Sequence, residues 1–199
     1  MKKVYNSKNR PFRHAIVIGI LTFFFAALAS FLSQTVVDEI RIIALAFILL
    51  LVVILLGIGF DIIGVAVTSA VEAPLHARAA NRIFGAVQAI KLVKNAHRVS
   101  SFCNDVVGDV CGTLSGAIGV TIIFKILINP SEQSTIWFTT LMTALIAALV
   151  VGGKAFGKTF AIDDGTLIIF RVGQIIAWLE KFLPLMSFGR RNSRKKNHI

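Results

Sequence analysis

Long apolar runs alternate with short polar segments along the whole chain. Ala15–Val37 and Ile42–Phe60 hold no charged residue, and the second run continues past a single carboxylate, Asp61, to Val71. Val99–Phe124 carries Asp105 and Asp109 among small and apolar residues, and Ile136–Gly153 is again free of charge after the turn sequence Asn129-Pro130-Ser131. These runs match the roughly 20 helical residues, at about 1.5 Å apiece, that cross a hydrocarbon core. The pattern predicts an all-α fold, a polytopic helical membrane protein with four transmembrane helices. Ala15–Val37 lacks the small-residue cleavage pattern of a signal peptide and is counted as a span.

Two further segments read as helical without reading as spans. In Glu72–Arg98, Pro74 suits a first helical turn, and Ile83, Val87 and Ile90 form an apolar stripe opposite Arg78, Arg82 and Lys91. In Thr166–Leu185, Arg171, Gln174, Trp178 and Lys181 fall at spacings of three and four, which gives one partly polar face. Both fit amphipathic juxtamembrane helices lying on the inner membrane face. A fifth span, interrupted by Arg171, Glu180 and Lys181, is the alternative for the second.

Composition agrees with a bilayer as solvent. Of 199 residues 56% are hydrophobic and 16% charged, against about 45–50% and about 25% in soluble domains. Those values exclude an ordinary cytosolic enzyme, a disordered chain and a disulfide scaffold. The net charge of +11 could suit nucleic acid, but its distribution suits a lipid bilayer with an anionic inner leaflet, and no nucleic-acid partner is expected. Residues 1–14, the connection between the second and third runs, and the tail after 186 hold five Lys or Arg each, whereas the other two connections hold only Arg41 and Lys125. Basic loops stay cytoplasmic, so four spans with both termini inside the cell satisfy every segment. Cys103 and Cys111 stand eight residues apart, about 12 Å along a helix, too far to bridge.

Charges inside spans are costly and mark candidate sites. Asp105 and Asp109, spaced i, i+4, share one side of the third span with Gly112 and Gly116, and Gly108 completes a GxxxGxxxG series that lets a neighbouring helix approach closely. Asp61 lies near the inner end of the second span and Lys154 near that of the fourth, so Asp61, Asp105 and Lys154 can meet in the inner leaflet with Asp109 one turn deeper. Gly64, Thr68 and Ser69 on one side, and Gly152, Gly153 and Gly157 on the other, add polar or backbone-loosening positions at that level. Oxygen-rich sites of this kind suit hard cations such as magnesium. Three readings stand: a cation or proton pathway, a neutralised network in which the aspartates pair with Lys154 or Lys158, and uncharged aspartates hydrogen-bonding between helices. Asp163 and Asp164 suit helix caps. His14, His76, His97 and His198 fall in or beside basic segments with no metal-ligand spacing, and no nucleophile-base pair, zinc motif or phosphate loop points to an enzyme.

The order GFDIIGVAVTS (Gly59 to Ser69), LVKNAHR (Leu92 to Arg98), NDVVGD (Asn104 to Asp109) and KAFGKTFA (Lys154 to Ala161) resembles the transmembrane domain of the CNNM/CorC (CorB) magnesium-transport family. The corresponding motifs there are of the SETAL, LLENPDR, GNNLVN and GEIIPKTLA types. The resemblance covers residues 42–186 and implies divalent cation transport or homeostasis, of magnesium or cobalt, through an intramembrane site in a homodimer. It implies Asp61, Asp105 and Asp109 as ligands, Thr68 and Ser69 as supporting oxygens, and Lys154 as an ion-pair or gating residue standing where the family has an acid. Lys154 either swings aside for a cation or acts as a tethered cation in a non-transporting scaffold or accessory subunit. A proton-coupled variant is the third option. Residues 1–14, the additional span 15–37 and the tail 187–199 fall outside the resemblance, and the nucleotide-sensing CBS domains usual in the family, with their ATP-linked regulation, are not expected here.

Overall fold

A computed structural model describes residues 9–39, 42–127 and 132–182. Asn129-Pro130-Ser131, the first eight residues and the basic tail lie outside that range, as does the side chain of His14. The described residues are helical, with no strand among them: α1 (Asn9–Glu39), α2 (Ile43–Ser69), α3 (Glu72–Ala80), α4 (Ala86–Lys94), α5 (Ala96–Ser101), a π-helical segment (Phe102–Gly108), α6 (Asp109–Ile126), α7 (Glu132–Asp163) and α8 (Gly165–Phe182). Four stretches are long and apolar enough to cross a membrane: Ile16–Thr35, Ile43–Ser69, Ala96–Ile126 and Gln133–Asp163. The protein is a polytopic helical membrane protein. Its outward surface carries large apolar side chains, among them Phe23, Phe31, Leu55 and Leu141, as contact with hydrocarbon requires.

Helix α2 is the centre of the bundle. Ala46, Leu50 and Ile54 near its start form one core with Ile118 and Ile122 of α6 and Ile146 of α7. Ala66 and Val67 near its end pack instead with Ala161, Ile169 and Phe170. Late residues of α6 thus meet early residues of α2, whereas α7 follows α2 in step. The helices are therefore antiparallel and parallel to α2, respectively. Small residues set the separations. A Cβ on Gly57 would lie 2.8 Å from Cys111 Cβ, and one on Gly157 would lie 2.6 Å from Ile62 Cγ1.

At the end where α2 and α7 finish, the two corners are tied together. Ser69 Oγ donates to the Ala161 carbonyl at 2.7 Å, and the Val71 N–H donates to Thr166 Oγ1 at 3.0 Å. Leu75 of α3, Ala86 and Ala89 of α4 and Ile169 of α8 are fully buried around this knot. The Arg78 guanidinium lies 4.3 Å over the Phe170 ring. Gly85, with φ of 85°, opens α4 in the left-handed region that glycine adopts freely, and Arg82 shares that region with φ of 55°.

Several elements differ from the pattern-based expectation. Helix α7 continues ten residues beyond Gly153 to Asp163, because Lys154 and Lys158 can sit in a helix as readily as apolar residues do. Gly153 and Gly157 do not loosen it; they receive Ile58 and Ile62. The third span changes register within its length through the π-helical segment, where each N–H bonds five residues back rather than four. The Glu72–Arg98 connection is three helices rather than one. Its buried face is Leu75, Ala86 and Ala89, while Ile83 and Val87 of the expected stripe are exposed.

Candidate intramembrane carboxylate site

The buried residues of α2 include Ala46, Leu50, Ile54, Gly57, Asp61 and Gly64. These recur every three or four positions, the period of one helix face. Asp61 occupies a place in that stripe where the rest are apolar or glycine, and its side chain is only 6% exposed. It lies eight residues before the end of α2 at Ser69, a depth of about 12 Å at the helical rise. A carboxylate there has lost its water and depends on what the neighbouring helices supply.

Helix α7 supplies two ammonium groups. Lys154 Nζ stands 3.9 Å from Asp61 Oδ1 and 3.2 Å from Asp109 Oδ1, the shorter contact being a hydrogen bond. Lys158, one turn on, places its Nζ 3.8 Å from Asp61 Oδ2. Gly108 lies beside the pair: a Cβ there would be in ordinary contact with both, 3.6 Å from Lys154 Nζ and 3.8 Å from Asp61 Oδ1. Two carboxylates and two ammonium groups cancel in formal charge. The side chains of Lys154 and Asp61 are mostly enclosed, whereas those of Lys158 and Asp109 are 51% and 69% exposed.

Charge balance leaves hydrogen bonding incomplete. Asp61 Oδ2 is buried with no hydrogen-bond partner, and so is Asn104 Oδ1. Asn104 belongs to the π-helical segment, and its carboxamide fills the space a Cβ would take on Gly64, three residues after Asp61. Its Nδ2 donates to Ser100 Oγ at 3.4 Å. Two unsatisfied oxygens thus lie against the same turn of α2. Asn104 Oδ1 costs on the order of 1–3 kcal/mol while it lacks a donor, whereas Asp61 Oδ2 keeps the Lys158 ammonium at 3.8 Å.

The structure therefore brings Asp61, Asp109 and Lys154 together, and leaves the other expected residues outside. Asp105 is exposed and, among the described residues, makes no ion pair, whereas Asp109, four residues on, meets Lys154. Thr68 is exposed and donates to the Val65 carbonyl at 2.7 Å, while Ser69 is committed to the α2–α7 corner. Asp61, Asp105, Asp109, Thr68 and Ser69 are accordingly not a preassembled ligand set. Among the described residues no three His, Cys, Asp or Glu side chains gather at metal-holding distances. Gly112 meets Val150 of α7, but Gly116 faces open space, so only part of the glycine series is a helix seam. Asn104 is the residue that sequence reasoning missed; the signal is its place beside Gly64, visible only once the π register is known.

The remaining expectations concern the periphery. Asp164 sits at the start of α8, where its carbonyl accepts from the N–H groups of Leu167 at 2.9 Å and Ile168 at 3.0 Å, whereas Asp163 ends α7. His76 is half-exposed, 3.4 Å from Glu72. Because Asp105 is exposed and pairs with no cation among the described residues, Asp105→Asn should change thermal stability in detergent by no more than about 0.5 kcal/mol. Asp61→Asn, measured the same way, should shift the midpoint clearly. Compared with known proteins, the chain matches no family model, no curated protein and no solved structure.

Proposed function

We propose that this membrane protein moves a divalent cation, magnesium foremost, or serves its homeostasis through the Asp61 site, as the likeness of residues 42–186 to the CNNM/CorC membrane domain implies. The observation that carries the proposal is Asp61 itself: a carboxylate buried among three helices with one oxygen lacking a hydrogen bond. No packing need explains a charge at that point of the α2 stripe. Magnesium keeps several waters and takes one or two carboxylates. Asp61 and Asp109 are the carboxylates available, and Asn104 Oδ1 is an acceptor suited to orient a retained water. Lys154 then acts as a built-in counter-ion that holds the site closed until a cation competes for the two carboxylates.

The basic connection between α2 and the third span supports an orientation with the site in the inner leaflet and both termini cytoplasmic. A second copy of the chain would shield Asp109 and the open glycine face of α6 from lipid, which is where a homodimer fits this reading.

Exact cancellation of the four charges favours a second reading, a non-transporting scaffold or accessory subunit in which Lys154 permanently occupies the place of the ion. Magnesium flux into proteoliposomes separates the two. The transport reading expects flux with the native chain and a drop of at least tenfold in Asp61→Asn. Absence of flux from well-folded native protein selects the scaffold.

A further inference from the structure

Helix α8 packs through Gly165, Ile169, Phe170, Gly173 and Ala177. The opposite face is Leu167, Arg171, Ile175, Trp178 and Phe182, all exposed and all at helical spacing. An arginine in the middle of an otherwise apolar face is the pattern of a helix bedded at the level of lipid headgroups: the rings and aliphatic chains enter the acyl boundary, and the long side chain carries its guanidinium out to phosphate. Trp178 packs on Phe182 with ring centroids 4.5 Å apart, and tryptophan favours this interface.

Helix α4, crossing beside α8, repeats the chemistry. Val87, Lys91 and Lys94 are exposed at spacings of four and three. The one acidic residue of α8, Glu180, is taken up by the side-chain amide of Gln88 on α4, whose Nε2 donates to it at 3.0 Å. The layer therefore presents apolar and cationic groups together, with its exposed carboxylate engaged by Gln88.

We propose that the outward faces of α8 and α4 form a binding surface for anionic phospholipid, with Arg171 as the headgroup contact. The occupant is the bilayer because both helices lie against the ends of the membrane-crossing helices α2 and α7, and because the charge is complementary to an anionic leaflet. The inference needs membrane insertion but not ion transport.

Its test uses Trp178 as the reporter. In the full chain carrying Trp137→Phe, Trp178 is the sole tryptophan. Reconstitution into equal mixtures of phosphatidylcholine and phosphatidylglycerol, with bromine on the acyl chains of one lipid or the other, reads which lipid sits beside it. Brominated phosphatidylglycerol should quench more strongly, reflecting about fivefold local enrichment, the effect of roughly one interfacial cation. Arg171→Gln should clearly reduce the preference, leaving what Lys91 and Lys94 supply, Arg171→Lys should retain it, and high salt should reduce it. Equal quenching by both lipids in the presence of Arg171, a preference undiminished by Arg171→Gln, or quenching by neither lipid would each overturn the proposal.

Discussion

Gly173→Leu should separate α8 from α4 and cost the protein more than about 3 kcal/mol, beyond the usual range for overpacking. A Cβ at position 173 would lie 2.6 Å from the Gly85 carbonyl oxygen and 2.7 Å from the Ala89 nitrogen. Both are backbone atoms, which cannot step aside as the tip of a flexible side chain can. The loss should appear as a large drop in thermal midpoint in detergent. Gly116→Leu, at a glycine with nothing within 4 Å, is the matched control and should leave the single chain's midpoint nearly unchanged. Because the same layer carries Ser69, Ala161 and Leu75, its disruption should also loosen the ends of α2 and α7 and with them the spacing of Asp61 from Lys154.

Lys154→Met should be the most destabilising change within the site. It removes the closest cation from Asp109 and one of two from Asp61, and leaving a buried charge without its partner costs on the order of 3–5 kcal/mol. Lys158, half-exposed and 3.8 Å from Asp61, recovers part of that. The double variant Asp61→Leu with Lys154→Met should be more stable than Lys154→Met alone, because the uncompensated carboxylate is then gone. Thermal midpoints of the four chains of this cycle measure the coupling directly. Additive effects would mean that the 3.9 Å contact carries no energy.

The contrast between what could and could not be read from sequence has physical causes. The four spans and the interior position of Asp61 are written in composition, since a charge-free run of that length has few uses other than crossing a bilayer. The period of three and four through Ala46, Leu50, Ile54, Gly57, Asp61 and Gly64 was equally available, and it places Asp61 on the packed face. Three features were hidden. The π-helical segment carries Asn104 against Gly64, and local propensity does not announce such a segment; of the two aspartates beside it, Asp109 alone meets Lys154 among the described residues. The length of α7 was masked by Lys154 and Lys158, which resemble the polar end of a span and are in fact its interior. The buried face of α4 consists of Ala86 and Ala89 rather than the bulkier Val87, because close crossing at Gly85 and Gly173 selects small residues over bulky ones.

The Asp61 cluster gains a plain mechanistic meaning from these particulars. Two cationic side chains and two carboxylates make a closed, neutral arrangement, while Asp61 Oδ2 and Asn104 Oδ1 retain unmet hydrogen-bonding capacity. On the transport reading proposed above, such a site exchanges a tethered cation for a free one, and the identity of the residue at 154 sets the bias. Magnesium flux into proteoliposomes, compared among the native chain, Asp61→Asn and Lys154→Glu, tests this most directly. Flux should fall at least tenfold in Asp61→Asn and rise in Lys154→Glu, where the competing ammonium is replaced by a third carboxylate. Flux that is unchanged by Asp61→Asn, or that fails to rise in a folded Lys154→Glu protein, would contradict the assignment of Lys154 as the ion's competitor at Asp61.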